Sequence, residues 1–186
     1  KTASEIRPGH PLWFEGYSNE LISAIASVES KYKHCCEEIQ SKGTKCTTSS
    51  EKVCDFDKLI ASYDKNGNKL SYGVMQINYV GTNKDWADSL AKEHCKKDSS
   101  GNYIKINNYN CNVLVGIAIL QSKYKTFKDG CGKYPKISKA CSTCKSNTAP
   151  YTPYSSYREV EAALRGYNGW GCDPDNSDPG YVEKIL

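Results

Sequence analysis

Ten cysteines, spread along almost the whole of a 186-residue chain, constrain this sequence more than any other feature. Cytosolic proteins keep few thiols, so an even number of scattered cysteines is typical of a protein that folds in an oxidising compartment and pairs them all. The sequence therefore predicts five disulfides and a secreted or extracellular location, or a periplasmic or cell-surface one. The cysteines are Cys35, Cys36, Cys46, Cys54, Cys95, Cys111, Cys131, Cys141, Cys144 and Cys172.

The spacing Cys141-x-x-Cys144 also suggests zinc. A zinc knuckle needs a second pair at matching spacing, which the flanking cysteines do not supply. Disulfides are therefore favoured, and neither a metal nor a cofactor is expected. The pairing cannot be read from the sequence, except that the adjacent Cys35 and Cys36 are expected to have different partners.

The length of the chain suits one ordinary domain with a real core. We predict a single domain over 1–186, with cysteine-rich loop insertions at about 34–54 and 128–154, and expect a monomer. Apolar runs stay far shorter than the roughly eighteen residues of a membrane helix, so no span is expected. No apolar signal-peptide core follows Lys1, so we expect a targeting segment to be absent or already removed.

The net charge of +4 is spread along the chain without a basic block. Nucleic-acid binding usually needs clustered basic residues, so no nucleic-acid partner is expected. A mild positive field suits an anionic polymer such as a bacterial cell wall. A solvated lysine-rich surface explains the charge equally well.

Helical periodicity dominates the chain, so we predict a mainly α (α+β) fold with a small β-hairpin. One helix is capped by Ser18-Asn19, and others are predicted over about 85–95 and 112–123. The run Ser156-Tyr157-Arg158-Glu159 has capping-box form and opens a last helix that ends near Gly169. Val53, Phe56, Ile60 and Tyr63 also recur at helical spacing.

Two glycines carry further expectations. The run Asp64-Lys65-Asn66-Gly67-Asn68 is a turn signal, which predicts a tight hairpin or loop. The helix over 112–123 is apolar nearly all round, as in a central buried helix. Gly116 inside it predicts close packing against another backbone.

Glu29 lies inside the apolar stripe formed by Leu21, Ile22, Ile25 and Val28 of the first helix. A carboxylate on that face has two interpretations. It can be a structural group paired at the edge of the core. Alternatively it is a general acid, because burial disfavours the anion and keeps a carboxyl able to donate a proton near neutral pH.

Five short motifs distinguish these interpretations, because they occur in the order seen in the soluble lytic transglycosylases and goose-type lysozymes. From about Leu21 to the C-terminus, the chain resembles that group. Each motif is weak alone, and the specificity lies in the ordered set. The motifs are Glu29-Ser30, Gly73-Val74-Met75-Gln76-Ile77-Asn78, Asn112-Val113-x-x-Gly116-x-x-Ile119-Leu120, Ala163-Leu164-x-x-Tyr167-Asn168-Gly169 and Tyr181-Val182-x-Lys184-Ile185-Leu186.

The resemblance implies a lysozyme-like fold whose cleft binds a β-1,4-linked amino-sugar polymer such as peptidoglycan. It makes Glu29 the catalytic acid and Tyr167 the residue that holds its carboxyl. Simple core filling by Met75 and Tyr167, and a loop hydrogen bond by Gln76, are the structural alternatives. The residues expected to bind substrate are Ser30, Tyr72, Gly73, Met75, Gln76, Asn78, Tyr167 and Asn168.

The second carboxylate is where the chain departs from the group. Goose-type enzymes carry an Asp shortly before the equivalent of Gly73, whereas this chain has Gly67, with Asp64 three residues earlier. A hydrolase needs such a base or nucleophile. Asp64 is the best candidate by position, although an Asx-turn role is favoured for it, and Asp55 and Asp57 are remoter options.

These observations leave three functions open. The favoured one is a lytic transglycosylase, which needs no second carboxylate because the muramyl C6 hydroxyl attacks the anomeric carbon. The next is a water-using muramidase or chitinase with Asp64 as base. The last is a non-catalytic glycan-binding or toxin-like module in which Tyr167, Trp86 and Trp170 stack on sugars.

Overall fold

The computed structural model describes residues 3–39, 43–47, 53–172 and 177–186. Within those ranges helices outweigh strands, so the predicted class, mainly α with a small β component, is confirmed. The helices are α1 (Asn19–Ser30), α2 (Thr82–His94), α3 (Tyr109–Phe127), α4 (Ser138–Thr143), α5 (Glu159–Asn168) and α6 (Tyr181–Ile185), and the strands are β1 (Cys35–Ile39), β2 (Gly43–Thr47), β3 (Ala61–Tyr63), β4 (Lys69–Tyr72) and β5 (Ile77–Asn78).

The chain divides into two compact units. Unit 1 comprises Lys1–Ile6 and Ile22–Ala118, and unit 2 comprises Arg7–Leu21 and Ile119–Leu186. The single domain expected over 1–186 stays a prediction. None of the helices in the described ranges is long and apolar enough to cross a bilayer.

Unit 1 contains both sheets. Strands β1 and β2 form an antiparallel pair, and β3, β4 and β5 form an antiparallel sheet in that order. The turn between β3 and β4 is the predicted one at 64–68. The most deeply buried large apolar side chains of this unit come from α1, α3, β5 and the segments just before β5 and α3, and they are Ile25, Val74, Met75, Ile77, Ile106, Val115 and Ile117.

Five disulfides join all ten cysteines, as predicted. Cys35 and Cys36 have different partners, which confirms that expectation too. The zinc interpretation of Cys141-x-x-Cys144 is wrong, because each of these sulfurs is bonded to another cysteine. The pairs are Cys35–Cys54, Cys36–Cys46, Cys95–Cys111, Cys131–Cys141 and Cys144–Cys172.

The two cysteine-rich insertions are more regular than the predicted loops. Residues 34–54 include β1 and β2, while 128–154 include α4. The helical spacing of Val53, Phe56, Ile60 and Tyr63 is misleading, because this stretch contains a 3-10 turn and β3. Val53 and Tyr63 are 57% and 59% exposed, so they form no apolar helix face.

In unit 2 the predicted start of helix α5 is wrong and its predicted end is correct. The capping box at Ser156 is wrong: Ser156 lies in a 3-10 turn and its hydroxyl donates to the Pro153 carbonyl at 2.7 Å. Helix α5 begins at Glu159 instead and has no side-chain cap. Its end is as predicted, because Gly169 adopts a φ of +108° there, a conformation that suits glycine.

Candidate functional site

The last turn of α1 places Glu29 at the edge of a buried face. Leu21, Ile22, Ile25 and Ala26 are buried, and Glu29 continues this row while staying partly exposed. Ser18 caps the helix as predicted, accepting a hydrogen bond from the Leu21 N–H at 3.0 Å. The predicted stripe is wrong at one position, since Val28 is 37% exposed.

Ser30 joins this helix end to the Gly73–Asn78 segment. Its side chain is buried, and its hydroxyl lies 3.0 Å from the Ala26 carbonyl and 2.9 Å from the Val74 carbonyl. A single hydroxyl proton serves these two acceptors. Ser30 therefore links the turn that carries Glu29 to the motif whose order in the sequence suggested a shared site.

Gly73 begins a tight turn that only a small residue can occupy. Its φ is +77°, and an added Cβ would lie 2.2 Å from the Asn112 side-chain nitrogen. The Gln76 N–H closes the turn on the Gly73 carbonyl at 3.0 Å. The Gly73 N–H donates to the carbonyl of Ile60, the residue before β3, at 2.8 Å.

The side-chain amide of Asn112, on α3, connects this turn to the backbone at Tyr72 and Ile106. Its Oδ1 accepts the Met75 N–H at 2.9 Å, while its Nδ2 donates to the Tyr72 and Ile106 carbonyls, both at 3.1 Å. Asn112 is fully buried. Three motifs of the ordered set, on α1, at 73–78 and on α3, thus meet in unit 1.

Met75 is the clearest correction to the predicted substrate-binding set. It is 0% exposed, and an added Cβ on Gly116 would lie 2.8 Å from its side chain. Met75 therefore fills the core, the alternative that the sequence left open. Gly116 permits a close approach, as predicted, but to this side chain and not to another backbone.

The other predicted binding residues of the loop differ in exposure. Gly73 is buried and acts through its backbone. Gln76 is partly exposed, and its Nε2 donates to the Gly73 carbonyl at 2.8 Å, so the loop hydrogen bond is present. Tyr72 is partly buried against aromatic neighbours, whereas Asn78 is exposed. A substrate-binding role stays a prediction for Tyr72, Gln76 and Asn78.

Asp64 forms the turn between β3 and β4. Its Oδ1 accepts the N–H groups of Asn66 and Asn68, both at 2.8 Å, and its Oδ2 accepts the Asn68 side-chain amide at 2.9 Å. These bonds, the Asn68 side chain first, lower the pKa of the Asp64 carboxyl. Asp55 and Asp57 are exposed, and Asp55 forms an ion pair with Lys58 at 3.9 Å. A catalytic role for any of the three stays untested.

Tyr167 and Asn168 belong to unit 2. The Asn168 side chain makes structural hydrogen bonds. Its Oδ1 accepts the Asp178 N–H at 2.7 Å and a hydrogen bond from the buried Arg165 guanidinium. Tyr167 is partly buried. Its role at the acid, like substrate binding by Asn168, stays a prediction from the resemblance. Trp170, expected to stack on sugars in a binding module, is buried in this unit.

His34 is a feature of the site that the sequence reasoning missed. Its ring is fully buried, and its Nδ1 lies 3.3 Å from the Val74 backbone nitrogen. The signal was a lone histidine between the end of a helix and a cysteine pair, close to Glu29 in sequence. That signal identifies a buried polar group but not its partner.

A histidine and two sulfurs, His34, Cys35 and Cys54, lie within 4.8 Å of one another, the spacing of metal ligands. Both sulfurs belong to one disulfide, and both ring nitrogens of His34 already have backbone partners. A metal needs thiolates and an unused imidazole nitrogen. This cluster is therefore a structural one.

Comparisons of the chain with protein-family models, with curated proteins and with solved structures each give no match. The ordered motifs and the geometry of unit 1 are thus the basis for a functional assignment.

Proposed function

We propose that this protein is a secreted enzyme of the lytic transglycosylase and goose-type lysozyme group, which cleaves the β-1,4 bond between N-acetylmuramic acid and N-acetylglucosamine in peptidoglycan. The observation that carries the proposal is the 2.9 Å hydrogen bond from the Ser30 hydroxyl to the Val74 carbonyl. It holds the helix end bearing Glu29 against the 73–78 motif, and the resemblance rests on both.

The proposed chemistry uses Glu29 twice. As an acid, its carboxyl gives a proton to the glycosidic oxygen while the bond from that oxygen to the muramyl anomeric carbon breaks. As a base, the resulting carboxylate takes the proton from the muramyl C6 hydroxyl, whose oxygen bonds to the same carbon. The products are a 1,6-anhydromuramyl end and a free N-acetylglucosamine 4-hydroxyl, and no water is consumed. The partly buried position of Glu29 suits a group that must exist in both protonation states.

The surroundings of Asp64 favour this route over hydrolysis. Both of its carboxylate oxygens accept bonds within its own turn, and the pKa of the carboxyl is lowered, so it is a weak base. A hydrolase would need a second carboxylate positioned to activate water or to attack the sugar. The turn gives Asp64 a sufficient structural reason to be there.

The test compares Glu29→Gln with Glu20→Gln, a change of the same kind in the exposed first turn of α1. Purified peptidoglycan is digested, and the soluble fragments are identified by mass spectrometry. We expect Glu29→Gln to lower the rate roughly 10²–10⁴-fold, because a positioned acid contributes that much. Glu20→Gln should leave the rate unchanged, and both variants should keep the thermal stability of the wild type.

The fragments distinguish the candidate functions. Anhydromuramyl ends support the proposal, whereas reducing muramyl ends would indicate a hydrolase and would overturn the transglycosylase assignment. Glycan binding without cleavage by the wild type would indicate the non-catalytic module. Activity of Glu29→Gln above a few per cent of wild type would reject Glu29 as the acid.

A further inference from the structure

His34 is the most deeply buried ionisable side chain near the candidate site. The chain reaches it from α1 through Lys31 and Tyr32, which adopt positive φ angles of 53° and 62° and so turn the backbone sharply after Ser30. The His34 ring is 0% exposed. A buried imidazole needs hydrogen-bond partners for both nitrogens.

The partners of His34 determine its protonation state. Its Nδ1 faces the Val74 N–H at 3.3 Å, and because an N–H only donates, Nδ1 is the acceptor and carries no proton. Its Nε2 faces the Asn107 carbonyl at 3.1 Å, and because a carbonyl only accepts, Nε2 carries the proton. The geometry therefore requires the neutral Nε2–H tautomer.

Val74 is held at both of its backbone polar groups. The Ser30 hydroxyl donates to its carbonyl at 2.9 Å, while His34 accepts its N–H. The His34 carbonyl also accepts the Ile60 N–H at 2.9 Å, and the Ile60 carbonyl accepts the Gly73 N–H. Ser30 and His34, which follow Glu29 closely in sequence, thus bind both backbone polar groups of Val74 within the Gly73–Gln76 turn.

The same histidine connects this turn to the cysteine-rich insertion. Cys35 follows it directly and is bonded to Cys54. The Cys54 N–H donates to the Asn107 carbonyl at 3.3 Å, the same carbonyl that accepts from His34, and the Asn107 side chain donates to the Cys54 carbonyl at 2.9 Å. The disulfide therefore braces the acceptor on which the tautomer of His34 depends.

The surroundings of the ring oppose a positive charge. Burial lowers the pKa of His34 below its ordinary 6.5, and the hydrogen bond to Asn107 opposes this only in part. Among the described residues, Tyr109 packs its ring against that of His34 at 5.5 Å between centroids, and burial raises its pKa, so it is uncharged near neutral pH. Cys35 and Cys54 do not titrate, and the adjacent Lys33 is exposed.

We propose that neutral His34 is the positioning residue that holds the Gly73–Gln76 turn, and that protonation of its Nδ1 releases this turn. A protonated Nδ1 would place one donor against the Val74 N–H, and the hydrogen bond would become a repulsive contact. Only the expected effect on cleavage rests on the proposed function. The hold on Val74 is a property of the folded chain and can be measured without substrate.

The direction of the pH effect follows from the lowered pKa. Above pH 6.5 His34 is neutral whether the chain is folded or unfolded, and the hold on Val74 is complete. As the pH falls below 6.5, unfolded chains take up the proton first, so this contribution to stability decreases. It is lost as the pH passes through the lowered pKa of the folded state.

The first experiment uses the wild-type protein and nuclear magnetic resonance. Nitrogen-15 shifts of the ring report the tautomer, and hydrogen exchange of the Val74 amide, corrected for the intrinsic effect of pH, reports the hold. We expect the Nε2–H tautomer at neutral pH and a fall in Val74 protection of roughly tenfold as His34 titrates. An Nδ1–H tautomer, or a His34 pKa at or above 6.5, would overturn the proposal.

The second experiment compares His34→Asn with His10→Asn. Asparagine offers an oxygen close to the position of Nδ1 and does not titrate, so His34→Asn should keep Val74 protected and remove its pH dependence. His10 is a matched control, because its Nδ1 also accepts a backbone N–H, that of Leu12 at 3.1 Å in unit 2. A pH dependence at Val74 that persists in His34→Asn would contradict the proposal, and the wild-type measurement decides the matter if this variant fails to fold.

Cleavage of peptidoglycan gives the link to function. We expect the wild-type rate to fall in acid together with Val74 protection, and this decrease to weaken in His34→Asn but not in His10→Asn. An identical pH profile in His34→Asn and wild type would overturn the positioning role. If the wild type cleaves nothing while the resonance results are as expected, the proposed function fails and the inference about His34 stands.

Discussion

Two turns of unit 1 share the pattern Asp-x-x-Gly-Asn, one at 64–68 and one at 98–102, and their geometry is nearly the same. In each, the Asp Oδ1 accepts two backbone N–H groups, at 2.8 Å in the first turn and 2.9 Å in the second. In each, the Asp N–H donates to the Asn carbonyl at 2.9 Å, and the glycine N–H to the Asp carbonyl at 3.0 Å. Both glycines adopt a φ of +81°.

The comparison bears on Asp64, which its position in the sequence made the best candidate for a second catalytic carboxylate. The turn at 98–102 contains the same bonds from backbone N–H groups to its aspartate and was not expected to do chemistry. Turn formation alone therefore accounts for the aspartate in both places. Two features distinguish the first turn. The Asn68 side chain donates to the Asp64 Oδ2 at 2.9 Å, and the turn lies between β3 and β4, a few residues before Gly73.

The largest difference should come from substituting the glycines. An added Cβ meets nothing within 4 Å at Gly67 or Gly101, so alanine there costs only the strain of a positive φ, about 1–2 kcal/mol. At Gly73 the same φ strain is joined by overlap with Asn112, which adds about 1–3 kcal/mol. In urea titrations, Gly67→Ala and Gly101→Ala should therefore lose similar amounts of unfolding free energy, and Gly73→Ala should lose clearly more. Equal losses in all three variants would refute this account of the 73–76 turn.

A smaller effect is expected from removing the two aspartates. Asp64→Ala and Asp98→Ala each delete the acceptor of two backbone N–H groups. Thermal melts at neutral pH should show similar, modest decreases in Tm. A much larger decrease for Asp64→Ala would mean that the first turn supports more of unit 1 than its hydrogen bonds indicate.

Acid should remove part of the difference between Asp64→Ala and wild type. The pKa of Asp64 lies below its ordinary 3.8, so its ionised form stabilises the folded state. This contribution is present above pH 3.8 and disappears as the pH falls through the lowered value. Melts over a pH series should show the Tm difference shrinking in that window, and a difference that grows in acid would contradict the assignment.

The smallest effect expected is on catalysis. Asp64→Asn keeps an oxygen acceptor for the turn and removes the ionisable group, and Asp98→Asn does the same in the second turn. If Glu29 works alone, both variants should digest peptidoglycan at the wild-type rate. A loss of tenfold or more in Asp64→Asn alone would end the equivalence of the two turns and favour a hydrolase.

The sequence predicted the elements whose signals are local. The α1 cap, the hairpin turn at 64–68, the end of α5 at Gly169 and five disulfides all depend on residues close in the chain or on counting. The capping box predicted at Ser156 is wrong although the sequence pattern is present. The Ser156 hydroxyl donates to the preceding Pro153 carbonyl instead of capping a helix. The predicted burial of Val28 is wrong because helical periodicity shows which face of a helix is apolar but not how far the neighbouring elements cover it.

The site was predictable in its ordered motifs and not in its contacts. Ser30 and Asn112 are far from the Gly73–Gln76 turn in sequence, and the side chain of each bonds to a backbone atom of that turn, which leaves no compositional trace. Met75 was expected to line a cleft because motif order does not reveal burial. His34 was missed because neither periodicity nor spacing shows which backbone group a lone histidine meets. The second turn at 98–102 was visible as a repeat of Asp-x-x-Gly-Asn.

All five disulfides close short loops, between 10 and 28 residues apart, and each lies within one unit. Pairing of neighbours needs no distant partner, so each bond can form as soon as its own stretch of the chain meets an oxidising environment. A chain built this way can complete the oxidation of one unit without waiting for the other.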